Sequence, residues 1–149
     1  MRTLAYLFAT ALLTSASLYA EDFSEQHNAS GIRDLKAIQG DWLIQKVVRG
    51  GQRLNTDTPQ QSVNRFSGDK WFPGRNPDDY ARFTLNGDTV PKQIDMVARD
   101  GSKMLGIYRL NDDDLTLVFA RPGEARPAKL ESENGSPTYL MDFKRQEKD

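Results

Sequence analysis

The sequence predicts an antiparallel all-β domain: a barrel or sandwich of about eight short strands with one helical turn in front of them. Three observations point to it. Turn signals recur at roughly ten-residue intervals, among them Gly50-Gly51, Pro73-Gly74, Asn86-Gly87, Asp100-Gly101 and Asn134-Gly135. Between them apolar residues recur at every second position, as in Leu115, Leu117 and Phe119 or Tyr139, Met141 and Phe143. Helical spacing occurs in one place, at Ile32, Leu35 and Ile38.

Each element has its own signal. Ile32, Leu35 and Ile38 give a short helix one apolar face, and Gly40 is a natural stop. Trp42 to Val48 is apolar and β-branched and ends at Arg49-Gly50-Gly51, which reads as the first strand. Gln52 to Gln61, with Pro59, reads as loop. Ser62 to Phe72 predicts one strand, broken by Pro73-Gly74 and Asn76-Pro77. Tyr80 to Leu85 is the third strand, closed by the hairpin signal Asn86-Gly87. Thr89 to Val97 follows, with Pro91 acceptable at a strand entry or edge. The next hairpin has Met104 to Leu110 and Leu115 to Ala120 as arms and Asn111 to Asp114 as its bend. Arg121 to Pro127 reads as loop, Ala128 to Ser132 as a short strand, and the run through Tyr139, Met141 and Phe143 as the last strand.

The chain is 38% apolar and 28% charged, an ordinary globular balance. Its formal net charge is −1, so no general attraction to nucleic acid or to an anionic membrane is expected. Cysteine is absent, which excludes disulfides, thiolate metal sites and a cysteine nucleophile. The single histidine, His27, lies in a polar stretch with no second histidine to complete a metal site. Neither a cofactor, a metal nor an enzymatic activity is expected from this inventory.

The N-terminus has the three parts of a secretory signal peptide. Arg2 supplies the charge, Leu4 to Leu13 the apolar run, and Leu18-Tyr19-Ala20 the small-residue end before Glu21-Asp22. The run is too short for a membrane span, which needs about 20 residues. Residues 1–20 are therefore read as a signal peptide, cleaved after Ala20 or after Ala16, residues 21–31 as a flexible polar tail and residues 32–146 as the domain. A secreted, periplasmic protein of a bacterial envelope is expected, without stable membrane insertion after processing.

Gly40-Asp41-Trp42 sits where the helical turn meets the first strand, and Lys144-Arg145 ends the last. This arrangement resembles the calycin superfamily, the lipocalins and their relatives. The resemblance implies an up-and-down barrel in which Gly40 and Trp42 begin the first strand, the Trp42 indole closes one end, and Arg145 packs on it. A guanidinium over an indole adds about 0.5–2 kcal/mol. A narrower resemblance covers residues 35–145. Leu35 to Trp42, Pro91 to Asp95, Gly106-Ile107-Tyr108-x-Leu110 and the run from Asp114 to Pro127 look like a secreted bacterial lipocalin-like family expanded in planctomycetes. Its members have no described function, so the resemblance implies a fold and no activity.

Candidate contact residues follow from parity and loop chemistry. Phe83, Ile94, Tyr108, Leu117 and Phe119 are inward candidates for an apolar lumen, which in a small barrel is either filled by side chains or holds one ligand. Trp71 and Phe72 read as an aromatic loop, fit either for a ligand entrance or partner contact or for plugging the core. Arg121 and Arg126 lie in a stiff basic loop, suited to a barrel mouth or to local pairing. Asp112, Asp113 and Asp114 are consecutive on a bend, which does not match the alternating oxygens of a calcium loop. The expected function is binding of a small apolar or amphipathic molecule in the lumen. The alternative is an envelope protein-interaction module, an inhibitor or immunity-type protein acting through its loops.

Overall fold

The computed structural model describes residues 29–55 and 63–147. The segment read as a signal peptide, His27 and Pro59 lie outside the described residues. Helix α1 (Ala29–Ile38) leads into strands β1 (Gly40–Arg49), β2 (Gln52–Leu54), β3 (Val63–Ser67), β4 (Lys70–Phe72) and β5 (Ala81–Asn86). Strands β6 (Lys92–Ala98), β7 (Lys103–Asn111), β8 (Asp114–Ala120) and β9 (Thr138–Arg145) complete the chain. No helix among the described residues is long and apolar enough to cross a membrane.

All pairings are antiparallel, and β1 bonds to both β3 and β9, so the sheet closes into an eight-strand barrel. Closure removes the free edges that an open sheet would present. Strand β2 stands outside the ring and forms a hairpin with the far end of β1, pairing Val47 with Leu54 and Arg49 with Gln52.

Several boundaries differ from the sequence reading. The helix begins at Ala29, inside the stretch read as polar tail, because Gly31 is buried against the barrel together with Leu35 and Ile38. The segment expected as one strand is two, β3 and β4, joined by a tight turn at Gly68 and Asp69. Gln52 to Leu54, read as loop, is strand β2. Ala128 to Ser132, read as a strand, is irregular.

Strand alternation divides inside from outside. Trp42, Phe66, Trp71, Phe83, Leu85, Ile94, Met96, Tyr108, Leu115, Leu117, Phe119 and Phe143 form one buried cluster within the ring. Burial of each such large side chain contributes about 1.5–3 kcal/mol. A register shift at Gln45 in β1 keeps this pattern consistent: it carries Lys46 outward to pair with Asp142 and lets Val47 face inward opposite Met141. A smaller cluster of Ile107, Val118 and Leu140, with Val48 and Leu130, lies on the outer face. Leu130 comes from the β8–β9 connection, so residues 121–137 lie across the outer wall of the barrel.

Candidate functional site

The two ends of the barrel differ. At the end where β1 begins and β9 stops, helix α1 and Trp42 close the cylinder. Trp42 is fully buried, and its indole N–H donates to the Ile38 carbonyl at 2.8 Å. Gly40 makes the sharp exit from helix to strand at φ +114°, a conformation that side-chain-bearing residues rarely adopt. The Arg145 guanidinium carbon lies 4.2 Å from the centre of the Trp42 ring. The same guanidinium donates to the carbonyls of Ala37 (2.6 Å), Gln39 (2.9 Å) and Asp112 (3.1 Å), and its Nε sits 3.3 Å from the Asp113 carboxylate. Arg145 thus fills the carbonyl-rich end of the helix, where a cation is electrostatically favoured.

The helix is also tied to the barrel wall from its other side. The Tyr108 hydroxyl donates to Asp34 Oδ2 at 2.6 Å, and Lys92 Nζ lies 2.7 Å from the same oxygen. Tyr108 is 1% exposed. Burial, followed by the bond to Asp34, pushes its phenol well above the usual tyrosine range. At the β7–β8 bend, Asp113 and Asp114 pair with Arg145 and Lys144. Among the described residues no group of three or more His, Cys, Asp or Glu side chains is placed to hold a metal ion.

The lumen expected from the alternation is occupied by the protein's own side chains. Phe83, Ile94, Tyr108 and Leu117 are each at most 1% exposed and serve as packing contacts of the barrel interior, and Tyr108 also borders the cleft it shares with Val90, Leu110 and Leu130. Trp71 and Phe72 do not form a loop. They are consecutive on β4 and therefore face opposite sides of the wall: Trp71 enters the core, while Phe72 packs outside against Tyr80, ring centres 5.7 Å apart. Arg126 does not reach the mouth either. Its guanidinium donates to the carbonyls of Gly106 (2.7 Å) and Ile94 (3.2 Å) and lies 2.7 Å from Asp95, which clips the β8–β9 connection to the outer wall.

Clefts open at several places on the described surface: one of about 490 Å³ beside β3 and β4, lined by Asp41, Arg65 and Phe72 among others, one of about 450 Å³ beside Val90, Tyr108, Leu110 and Leu130, and two at the end opposite the helix, around the β1–β2 hairpin and the β4–β5 connection. Trp71 (6% exposed), Phe119 (7%) and the partly buried Tyr139 form the aromatic floor of that end. Trp71 meets Phe119 at 6.2 Å, and Phe119 stacks on Tyr139 at 5.6 Å. A cleft of about 440 Å³ opens here, lined by Ile44, Val47, Leu54 and Met141 on one side and by Pro73 to Asn76 with Asp79 on the other. A second cleft of about 320 Å³, lined by Arg49, Leu54, Arg121 and Tyr139 among others, adjoins it through Leu54. Of the residues singled out from sequence, Arg121 lines one of these clefts, while Phe119 and Trp71 belong to the buried core next to them.

Sequence reasoning missed Ile44, Val47, Leu54 and Met141. Val47 was hidden by the register shift at Gln45, and Leu54 by the polar run around β2. Met141 was legible as inward, but nothing in the sequence told which inward residues stand at the open end. Asp34 and Lys92 carried no local signal, because their meeting depends on how the helix docks. Comparison with models of known protein families, with curated proteins and with solved structures finds no match to this chain.

Proposed function

We propose that this is an exported, periplasmic lipocalin-like binding protein without catalytic activity, which takes a small apolar or amphipathic molecule at the open mouth of its barrel. The single observation that carries this reading is the apolar cleft at the mouth. Ile44, Val47 and Met141 face inward there above a packed core, and Leu54 is 41% exposed beside them. Large apolar side chains kept accessible in a concave site are the usual basis of small-molecule binding. A packed lower barrel supports the same reading, since a rigid scaffold holds the mouth in shape without an ordering cost on binding. The resemblance of residues 35–145 to secreted lipocalin-like domains agrees with it.

Titration with an uncharged solvatochromic dye such as Nile red tests the proposal. Saturable one-to-one binding is expected, weakened by about tenfold or more when Leu54→Asp places a charge in the cleft. Absence of saturable binding, or an unchanged affinity in the Leu54→Asp protein, would overturn it.

A further inference from the structure

We infer that the molecule bound at the mouth is an amphipathic anion, an apolar chain ending in a carboxylate or phosphate, whose head is read by Arg49 and Arg121. The inference rests on the mouth-binding reading and specifies the chemistry of its ligand. Its basis is the register of the β1–β2 hairpin. Val47 pairs with Leu54 on one side and with Met141 on the other, while Arg49, two residues further along, pairs with Gln52 and with Tyr139. One face of the hairpin therefore changes from apolar to basic over a single step of strand alternation. Leu54 lines both the apolar cleft and the basic one, so the two adjoin at its side chain.

Among the described residues the basic cleft holds two guanidinium groups and no carboxylate in its lining. Arg121 enters it from the end of β8, where its backbone N–H bonds to the Pro137 carbonyl at 2.9 Å. Arg49 lies over the Tyr139 ring at 5.5 Å, within the range of a cation–π contact. Neither arginine has a carboxylate partner among the described residues. Arg65, Arg126, Arg145, Lys92 and Lys144 are each paired with an aspartate, whereas Arg53, Arg75, Arg99 and Arg109 share with Arg49 and Arg121 the lack of a carboxylate partner among the described residues. The chain as a whole carries a net charge of −1, so the meeting of two arginines in one cleft is a local concentration of positive charge and not a consequence of a basic protein. Two like charges on one cleft repel each other, and an anion between them relieves that repulsion while accepting charge-assisted hydrogen bonds. Carboxylate and phosphate share this chemistry.

Isothermal titration of the full chain with dodecanoate, dodecyl phosphate, dodecanol, dodecyltrimethylammonium, acetate and inorganic phosphate tests the inference, each amphiphile held below its micelle concentration. Dodecanoate and dodecyl phosphate are expected to bind at least about tenfold more tightly than dodecanol, with a preference that falls as salt rises. The cationic amphiphile and the small anions alone are expected to bind weakly. In the Arg49→Gln/Arg121→Gln protein the anionic amphiphiles should fall to the level of dodecanol while dodecanol itself is unchanged. Both side chains are exposed, so the double variant is expected to fold, and its urea midpoint verifies this. Equal binding of dodecanol and dodecanoate would overturn the charge readout and leave mouth binding standing. Inorganic phosphate binding as tightly as dodecyl phosphate would overturn the amphiphile. No binding of any of the six would overturn both readings.

Discussion

Trp42 and Arg145 are direct partners across β1 and β9, and they are the point where the barrel closes on itself. The guanidinium covers the indole at 4.2 Å and at the same time caps the helix through Ala37 and Gln39. Trp42→Ala should lower stability by about 3–5 kcal/mol, the usual cost of emptying a buried aromatic site. Arg145→Ala should cost less, and its cost should shrink in the Trp42→Ala background because both changes remove one contact. Arg145→Lys should not restore stability, since a compact ammonium lacks the planar fork that lies over the indole while reaching carbonyls on two sides. Urea titration of the three single variants and the double variant measures all of these, and strictly additive losses would show that the two side chains act separately.

Tyr108, Asp34 and Lys92 predict a pH-dependent tie between helix and barrel. The bond from the buried phenol to a carboxylate is of the charge-assisted kind, so Tyr108→Phe should cost about 1.5–3 kcal/mol at neutral pH. The folded state favours the neutral phenol, raising its pKa above the ordinary value of 10.0. Stability linked to a raised tyrosine is fully present below that unfolded value and is lost progressively as pH rises above it. Wild type should therefore lose its advantage over Tyr108→Phe at strongly alkaline pH, whereas a constant difference between the two urea midpoints would contradict this.

Gly106 on β7 is a packing glycine. A Cβ there would lie 2.8 Å from the Val118 carbonyl oxygen, 3.0 Å from the Phe119 Cβ and 3.1 Å from the Ile94 Cγ2. The nearest of these is backbone of a neighbouring strand and cannot turn away. Gly106→Ala should therefore destabilise by about 1–3 kcal/mol through overpacking, despite the better strand propensity of alanine. A thermal melt equal to wild type would show that β7 and β8 can separate at no cost.

The sequence showed the ring of strands and its inward face well, because alternation is a local property. Phe83, Leu85, Ile94, Leu115, Leu117 and Phe143 are all buried on the side that parity assigned them. It showed less of what depends on volume or docking. Parity tells that Phe83 and Leu117 point inward, but not that their neighbours leave no room between them. Arg126 and Arg121 look equivalent in one basic loop; only the outer apolar strip of Ile107, Val118 and Leu140, which draws Leu130 onto the wall, separates an arginine clipped to Asp95 from one left at the mouth. The open end was the least legible part, since one register shift at Gln45 decides that Val47, and not Lys46, faces the cleft.

Asn64 and Trp71 form a polar contact between inward positions of β3 and β4. Asn64 is fully buried; its Oδ1 accepts the Trp71 indole N–H at 2.8 Å, while its Nδ2 has no hydrogen-bond partner among the described residues. A buried pair satisfied on one side only contributes less than its bond suggests, and removing one member orphans the other. Asn64→Leu should cost about 1–3 kcal/mol, because it leaves the indole N–H without an acceptor among apolar neighbours. Trp71→Phe removes that donor but leaves the whole Asn64 amide unsatisfied and a gap beside Phe119, so it should cost at least as much. In the double variant both polar groups are gone, and the loss should be smaller than the sum of the single losses by about 1–2 kcal/mol, the amount by which groups in direct contact depart from additivity. A double-mutant cycle in urea measures that difference, and single losses that add without remainder would show that the bond between Trp71 and Asn64 carries no weight in holding β3 to β4.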